Sequence, residues 1–310
     1  MADNSGVKDS VPTVVGLGEA LWDLLPSGKH LGGAPLNFAY IASLLGERAV
    51  ICTRVGEDAL GKEIQSELTR RKLDASGIQT DPTLPTGTVE VSFKDGQPEY
   101  EIRQPAAWDA MELSAKWREI ASKSDAICFG SLAQRAEKSR KTVLEMLKSA
   151  SKTCLKVFDI NLRRPFYGRQ VIESALEFTT ILKMNDLELP EIAAMFGLKA
   201  GEKSAVTHAL LRKFGLKFVF VTCGERGAMA ANGDEIVEHP GFSVQVRDTI
   251  GAGDAFTAAT VHCLLAKMDL KKTLEVANRW ASWVASQAGG MPPMSENQRE
   301  KLMDMAADRS

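Results

Sequence analysis

Short apolar runs rich in β-branched residues recur along this chain, each followed by a stretch of helical periodicity, and that alternation is the strongest constraint on its fold. The runs fall at 13–17, 49–55, 126–129, 155–160, 180–184 and 218–222. A strand that is apolar on both faces must be covered on both, and strands joined through helices return in the same direction. The pattern predicts an α/β chain, a three-layer α/β/α sandwich around a mostly parallel sheet. Helices are expected at 37–45, closing on Gly46, after a cap at Asp58 with Leu60, Ile64 and Leu68 on one face, and at 139–149.

Two segments break the alternation. Asn232-Gly233 stands between residues 228–231 and 235–237 and predicts an antiparallel hairpin late in the sheet. Residues 86–103 alternate polar and apolar around Asp95-Gly96, a second hairpin with one wet or ligand-facing side. Together with the stretch around Trp22 to Leu31 it is expected to form a small β lid, from about 20–32 and 84–110, on a single domain spanning 11–295. Residues 1–10 and 296–310 are expected to fray.

With 310 residues and a net charge of −2, the chain can bury one sizeable core and has no general attraction for nucleic acid or an anionic membrane. Cys52, Cys128, Cys154, Cys223 and Cys263 are scattered and several lie in apolar runs, so reduced, buried thiols are expected. No apolar signal segment or spanning stretch is visible, which makes the cytoplasm the expected location.

The most informative stretch is Asp248-Thr249-Ile250-Gly251-Ala252-Gly253-Asp254, which opens a helical pattern carrying Phe256, Ala259, Thr260, Cys263 and Leu264. Glycines at a helix start let backbone N–H groups approach an anion, and the helix dipole favours negative charge there. An acid at that point would repel a phosphate, yet it suits phosphoryl transfer if Asp254 takes the proton of an attacking hydroxyl while Gly251, Ala252 and Gly253 hold the phosphoryl charge. Taken alone, the segment fits equally a helix start capped by acids. A second stretch, Gly32-Gly33-Ala34-Pro35-Leu36-Asn37, pairs glycines with a side chain that both donates and accepts, as sugar hydroxyls require; alone it also fits a helix entry capped by Asn37.

The two motifs stand about 215 residues apart with their flanking positions intact. Gly32, Gly33, Asn37, Ala39, Gly46 and Gly56 form the first match; Asp248, Thr249, Gly251, Ala252, Gly253, Asp254, Ala258 and Ala259 form the second. On these residues the chain resembles the PfkB, or ribokinase-like, family of carbohydrate kinases, from about Val14 to Met294, with Thr260 where the family usually has an apolar residue. The wording at 19–26, 32–40, 107–109 and 130–135 looks most like bacterial fructokinases.

The resemblance implies a ribokinase-like fold and an ATP-dependent sugar kinase, fructose being the expected acceptor and 2-keto-3-deoxygluconate, ribose or a nucleoside the alternatives. It implies Asp254 as base with the 251–253 turn as anion hole, and Asp23, Gly32, Gly33, Asn37, Trp108, Asn161 and Arg163 on the sugar side. For ATP it implies Asn185, Thr222, Gly224, Gly227, Gly251, Gly253 and Asn278. Glu188, in Asn185-Asp186-Leu187-Glu188, would place Mg²⁺ through water, and Asp248 with 287–294 would offer a monovalent cation such as K⁺ a site. A homodimer through the lid is a further implication.

Several residues also have plain structural readings. Glu188 can be an exposed first-turn acid, Asp23 a turn residue, Arg163 a surface ion pair, Asn278 an exposed helical amide, and Trp22 and Trp108 packing residues. Gly16-Leu17-Gly18 lacks the third glycine of a dinucleotide fingerprint, Leu21 standing in its place, and no Walker sequence is present. Four widely spaced histidines argue against zinc. A regulator that binds sugar or nucleotide without turnover is the competing class, and it would be expected to have lost Asp254 or its glycines.

Overall fold

The computed structural model describes residues 11–25, 28–94, 97–199 and 201–307. The chain runs through β1 (Thr13–Leu17), β2 (Leu21–Leu25), β3 (Gly28–Gly32), α1 (Ala34–Leu45), β4 (Arg48–Gly56), α2 (Ala59–Arg70), β5 (Ile78–Asp81), β6 (Gly87–Lys94) and β7 (Gln97–Ile102). It continues through α3 (Ala115–Lys123), β8 (Ala126–Gly130), α4 (Glu137–Ser149), β9 (Leu155–Asp159), α5 (Arg169–Leu176), β10 (Ile181–Asn185), α6 (Glu188–Met195) and α7 (Lys203–Phe214). Then come β11 (Phe218–Thr222), β12 (Ala228–Ala231), β13 (Ile236–His239), α8 (Ala252–Leu265), α9 (Leu270–Ala285) and α10 (Glu296–Ala307).

Nine strands form one sheet in the order β13-β12-β11-β10-β9-β8-β1-β4-β5, parallel except for β12 and β13. From β1 the chain moves outward to β4 and β5 and then returns to β8 on the other side of β1. That reversal is a topological switch point, and in such sheets a crevice opens at the carboxyl ends of the strands. The turns leaving β1, β8, β9, β10 and β11 all face that edge.

Along each strand side chains alternate between two cores. Val15, Leu17, Ile127, Phe129, Phe158, Val219 and Val221 join α3 to α7 in one layer. Val14, Ala126, Cys128, Val157, Phe220 and Ala230 face α1, α2, α8 and α9 in the other. Beside the larger Val14, Val157 and Phe220, this face carries Gly16, Ala126, Cys128 and Ala230, which let the helices come close to the sheet at those positions. At Gly16 the approach is tightest: a methyl group would collide with the Pro35 carbonyl at the start of α1.

A separate four-stranded sheet, ordered β3-β2-β6-β7, stands where the lid is expected, with β2 and β6 parallel. The β6–β7 pairing follows the expected hairpin, and its Asp95-Gly96 turn lies outside the described residues, as does the 1–10 segment expected to fray. The late hairpin is also present, but its loop is 232–235 and not a two-residue turn. Asn232 Oδ1 accepts the N–H groups of Asp234 and Glu235. The expectation of fraying after Ser295 is corrected: α10 forms there, with Leu302 and Met303 packed on the core.

One side chain ties the lid to the main body. Asp58 caps α2 by accepting Gly61 N–H at 2.8 Å, and also accepts the Thr86 N–H at 2.8 Å and the Thr86 hydroxyl at 2.7 Å. Thr86 Oγ1 in turn accepts the Gly56 N–H at 2.9 Å. Asp58→Ala would remove a helix cap and orphan Thr86 at the root of β6. Denaturant titration is expected to show a loss of about 2–3 kcal/mol, and Asp58→Asn should cost less.

Candidate active site

Helix α8 begins at the crevice because Gly251, its N-cap, adopts φ 77°, a left-handed conformation that non-glycine residues avoid. The segment is packed tightly as well: a methyl group on Gly251 would collide with the Gly290 backbone. The first-turn N–H groups of α8 have no carbonyl within the helix to reach, although that of Ala252 leans 3.3 Å toward Thr249 O. Asp248 ties the turn down by accepting Ile250 N–H and Gly289 N–H, each at 3.0 Å.

Asp254 lies in that first turn, buried at 9% exposure. Asn37 is not the cap of α1: the helix starts at Ala34, and Asn37 sits inside it with its amide donating to Asp254 Oδ2 at 2.7 Å. Burial, then repulsion from Asp159, pushes the Asp254 carboxyl up to about 6, against the pull of Asn37, Lys183 and Arg163. It is thus mostly ionised near neutrality and still a competent proton acceptor.

Asp23 projects from β2 and its carboxyl is raised to about 6 by burial, with His30 and Arg163 opposing. Gly32 abuts Asp23 and Gly33 abuts the Glu19 backbone, where a methyl group would collide in each case. Arg163 is exposed, donates to Leu162 O at 3.2 Å, and its charge is felt by Glu19, Asp23 and Asp254, which places it over the same pocket. Asn161 adopts φ 42° at the end of β9, and its carbonyl accepts the Ser131 hydroxyl at 3.4 Å.

Trp108 is fully buried with Arg135 stacked 3.8 Å from its ring centroid, in keeping with its reading as a packing residue. Arg135 also forks onto Asp109 with two 2.8 Å hydrogen bonds. A cleft of about 770 Å³ lies between residues 104–109 and 165–171, and none of Asp23, Asn37 and Asp254 lines it.

Asn185, the last residue of β10, and Glu188, the first residue of α6, bond to each other reciprocally. Asn185 Oδ1 accepts Glu188 N–H at 2.8 Å, and Glu188 Oε2 accepts Asn185 N–H at 2.8 Å. Glu188 Oε1 accepts Leu162 N–H at 2.8 Å, so the glutamate joins the ends of β9 and β10; it is buried, not an exposed first-turn acid. Among the described residues no group of three or more His, Cys, Asp and Glu could hold a metal. Both Glu188 carboxylate oxygens are engaged by backbone N–H groups.

Thr222 ends β11, its hydroxyl 3.4 Å from Met184 O, and Gly224 and Gly227 form the turn that follows. Asn278 is buried in α9, not an exposed helical amide, and its amide nitrogen donates one hydrogen bond to Leu274 O of its own helix at 2.8 Å.

Three buried ionisable groups at this edge carried no role in the sequence reading. Glu19 leaves β1 with its carboxyl raised to about 7 by burial. Asp159 and Lys183 pair beneath the 251–253 turn, Lys183 Nζ lying 3.1 Å from both carboxylate oxygens. A charged residue inside an otherwise apolar strand run was the available signal for Lys183.

The profile described as pfkB family carbohydrate kinase matches residues 27–297, and the chain belongs to that family. It is 29% identical over 265 residues to the sugar kinase PH1459 of Pyrococcus horikoshii, covering 84% of this chain and 82% of that one. It is 27% identical over 314 residues to fructokinase-1 of Oryza sativa, covering 96% and 95%. The solved structure of PH1459 in complex with ATP superimposes with a TM-score of 0.77 at 26% identity over 93% of this chain and 97% of that one. Fructokinase with bound ATP from Xylella fastidiosa gives 0.82 at 21% over 96% and 99%, which speaks for the fold. The sheet described above is thus the ribokinase-like α/β fold, and the chain is a carbohydrate kinase.

Gly251→Ala tests the turn. A side chain at φ 77° pressed on Gly290 should cost about 1–3 kcal/mol of stability in denaturant melts and abolish most turnover, while the circular dichroism spectrum stays that of a folded α/β protein.

Proposed function

We propose that the protein transfers the γ-phosphoryl group of ATP to a hydroxyl of free fructose. The observation that carries this reading is Asp254, a buried carboxyl held by Asn37 at the N-terminus of α8, where an acid is otherwise unwelcome beside phosphate. Asp254 accepts the hydroxyl proton as the sugar oxygen bonds to phosphorus and the bond to the β-phosphate oxygen breaks, releasing ADP. The N–H groups at 251–253 face the transferred phosphoryl.

Asp23 and Asn37 orient the sugar hydroxyls, with Gly32, Gly33 and Asn161 shaping the pocket. The turn at Thr222, Gly224 and Gly227 receives the nucleotide together with Asn185. Mg²⁺, when bound with ATP, neutralises phosphate charge, and Glu188 would hold it through water. The loop joined by Asp248 and Gly289 is the place for a monovalent cation such as K⁺. The four-stranded sheet would close over the sugar and exclude water, and its outer edge would offer a surface for a homodimer.

An acidic acceptor such as 2-keto-3-deoxygluconate is the second reading, because Arg163 is exposed over the acid-rich pocket and could pair with a carboxylate. Ribose and nucleosides are further alternatives, and a non-catalytic regulator is disfavoured by the intact Asp254 and glycines.

The deciding experiment is coupled ADP release with Mg-ATP over free sugars, keto-deoxy sugar acids and nucleosides, with and without K⁺. Fructose is expected to give the highest kcat/KM. Preference for the keto-deoxy acid, lost in Arg163→Gln, would replace fructose as acceptor. Absence of turnover on every acceptor, with ATP bound, would contradict the kinase mechanism for this chain.

A further inference from the structure

Lys183 lies in the middle of β10 and is 8% exposed, an unfavourable place for an ammonium unless something compensates it. Its compensation is Asp159 on neighbouring β9, at 3.1 Å to each carboxylate oxygen. Asp159 is shared: its Oδ2 also accepts the Thr257 hydroxyl at 2.8 Å, and that hydroxyl lies 3.0 Å from Gly253 O in the first turn of α8. The turn also meets the lysine itself, since a methyl group on Gly253 would stand 3.0 Å from Lys183 Nζ. The turn that carries Asp254 therefore rests on a buried ion pair contributed by two strands.

We propose that Lys183, clamped by Asp159, is a positioning residue for phosphoryl transfer: it seats the 251–253 turn and supplies the buried positive charge that keeps Asp254 ionised. The proposal rests on Asp254 being the base. Burial alone would drive a carboxyl here toward its neutral acid, which cannot accept a proton. The charged and titratable groups facing Asp254 are Asp159 on β9, Lys183 on β10, Arg163 after β9, Glu19 after β1 and Cys128 on β8, with the Asn37 amide from α1. Arg163 is exposed and screened by solvent, whereas Lys183 is enclosed. Burial would lower the Lys183 ammonium, but Asp159, Asp254 and Glu188 together hold it above its ordinary range, so it stays charged.

The two partners act on Asp254 with opposite signs. Removing Lys183 takes away an attracting cation and raises the pH at which Asp254 protonates; removing the Asp159 charge takes away a repelling anion and lowers it. A merely structural pair would lower activity at every pH without moving either midpoint.

The test follows the carboxyl carbon of Asp254 by ¹³C NMR in protein labelled at aspartate, the signal being assigned with Asp254→Asn. In Lys183→Met the midpoint should rise by about one pH unit, and in Asp159→Asn it should fall by more, the Asp159 repulsion being the larger effect. The double variant Lys183→Met/Asp159→Asn, which leaves no uncompensated charge, should titrate below the unmodified protein but above Asp159→Asn, because the Asp159 repulsion outweighs the Lys183 attraction, and it carries the test if a single variant does not fold. Midpoints that stay fixed, or that move in the same direction in both single variants, would overturn the proposal. The acidic limb of kcat with Mg-ATP and fructose should move with the NMR midpoint. An NMR midpoint that moves while the kcat limb stays put would leave the Lys183 effect standing and overturn Asp254 as the base.

Discussion

The hydrogen bond from Asn37 to Asp254 is the contact on which the rest of the site depends. It joins the first turns of α1 and α8, two helices 217 residues apart in sequence, above the carboxyl ends of the central strands. A buried carboxylate is costly, and this one is tolerated because an amide, a buried ammonium and an exposed guanidinium all favour its charged form. The same burial leaves it basic enough to receive a proton near neutrality. A carboxylate left in water would stay ionised more easily and would be a weaker base.

That contact requires the two helices to sit close to the sheet and to each other, which explains the small residues beneath them. Gly16 admits the Pro35 carbonyl, Ala126 and Cys128 keep the floor low, and Gly251 meets Gly290 backbone to backbone. The opposite face of the sheet has no such demand and is filled with Leu17, Phe129 and Phe158, the last two stacked 5.0 Å apart. Both sides of the sheet carry a large hydrophobic core, and the α1–α8 side is the one on which Asn37 and Asp254 meet.

The central strands were legible because both their faces are apolar; 13–17 and 218–222 appear with the bounds read from the sequence. Strand β5 was not legible: Ile-Gln-Thr-Asp is short and mostly polar, and it survives as an edge strand through pairing with β4. Helix α10 escaped because its charged surface outweighs the few apolar residues, among them Leu302 and Met303, that dock it. In the site, the glycine motifs and Asp254 could be read from type and spacing. The burial of Glu188 and Trp108 and the Asp159–Lys183 pair could not, because they depend on which strands become neighbours across the switch point.

The most direct measurement of the central claim is a single-turnover experiment with [γ-³²P]ATP, fructose and enzyme in excess, comparing the native protein with Asp254→Asn. Label should pass to the sugar within a turnover in the native protein. In the variant, ATP should still bind while the rate of label transfer falls about 10³-fold. Transfer in Asp254→Asn at a rate within a few-fold of native would contradict the account, because the buried carboxylate would then not be the proton acceptor.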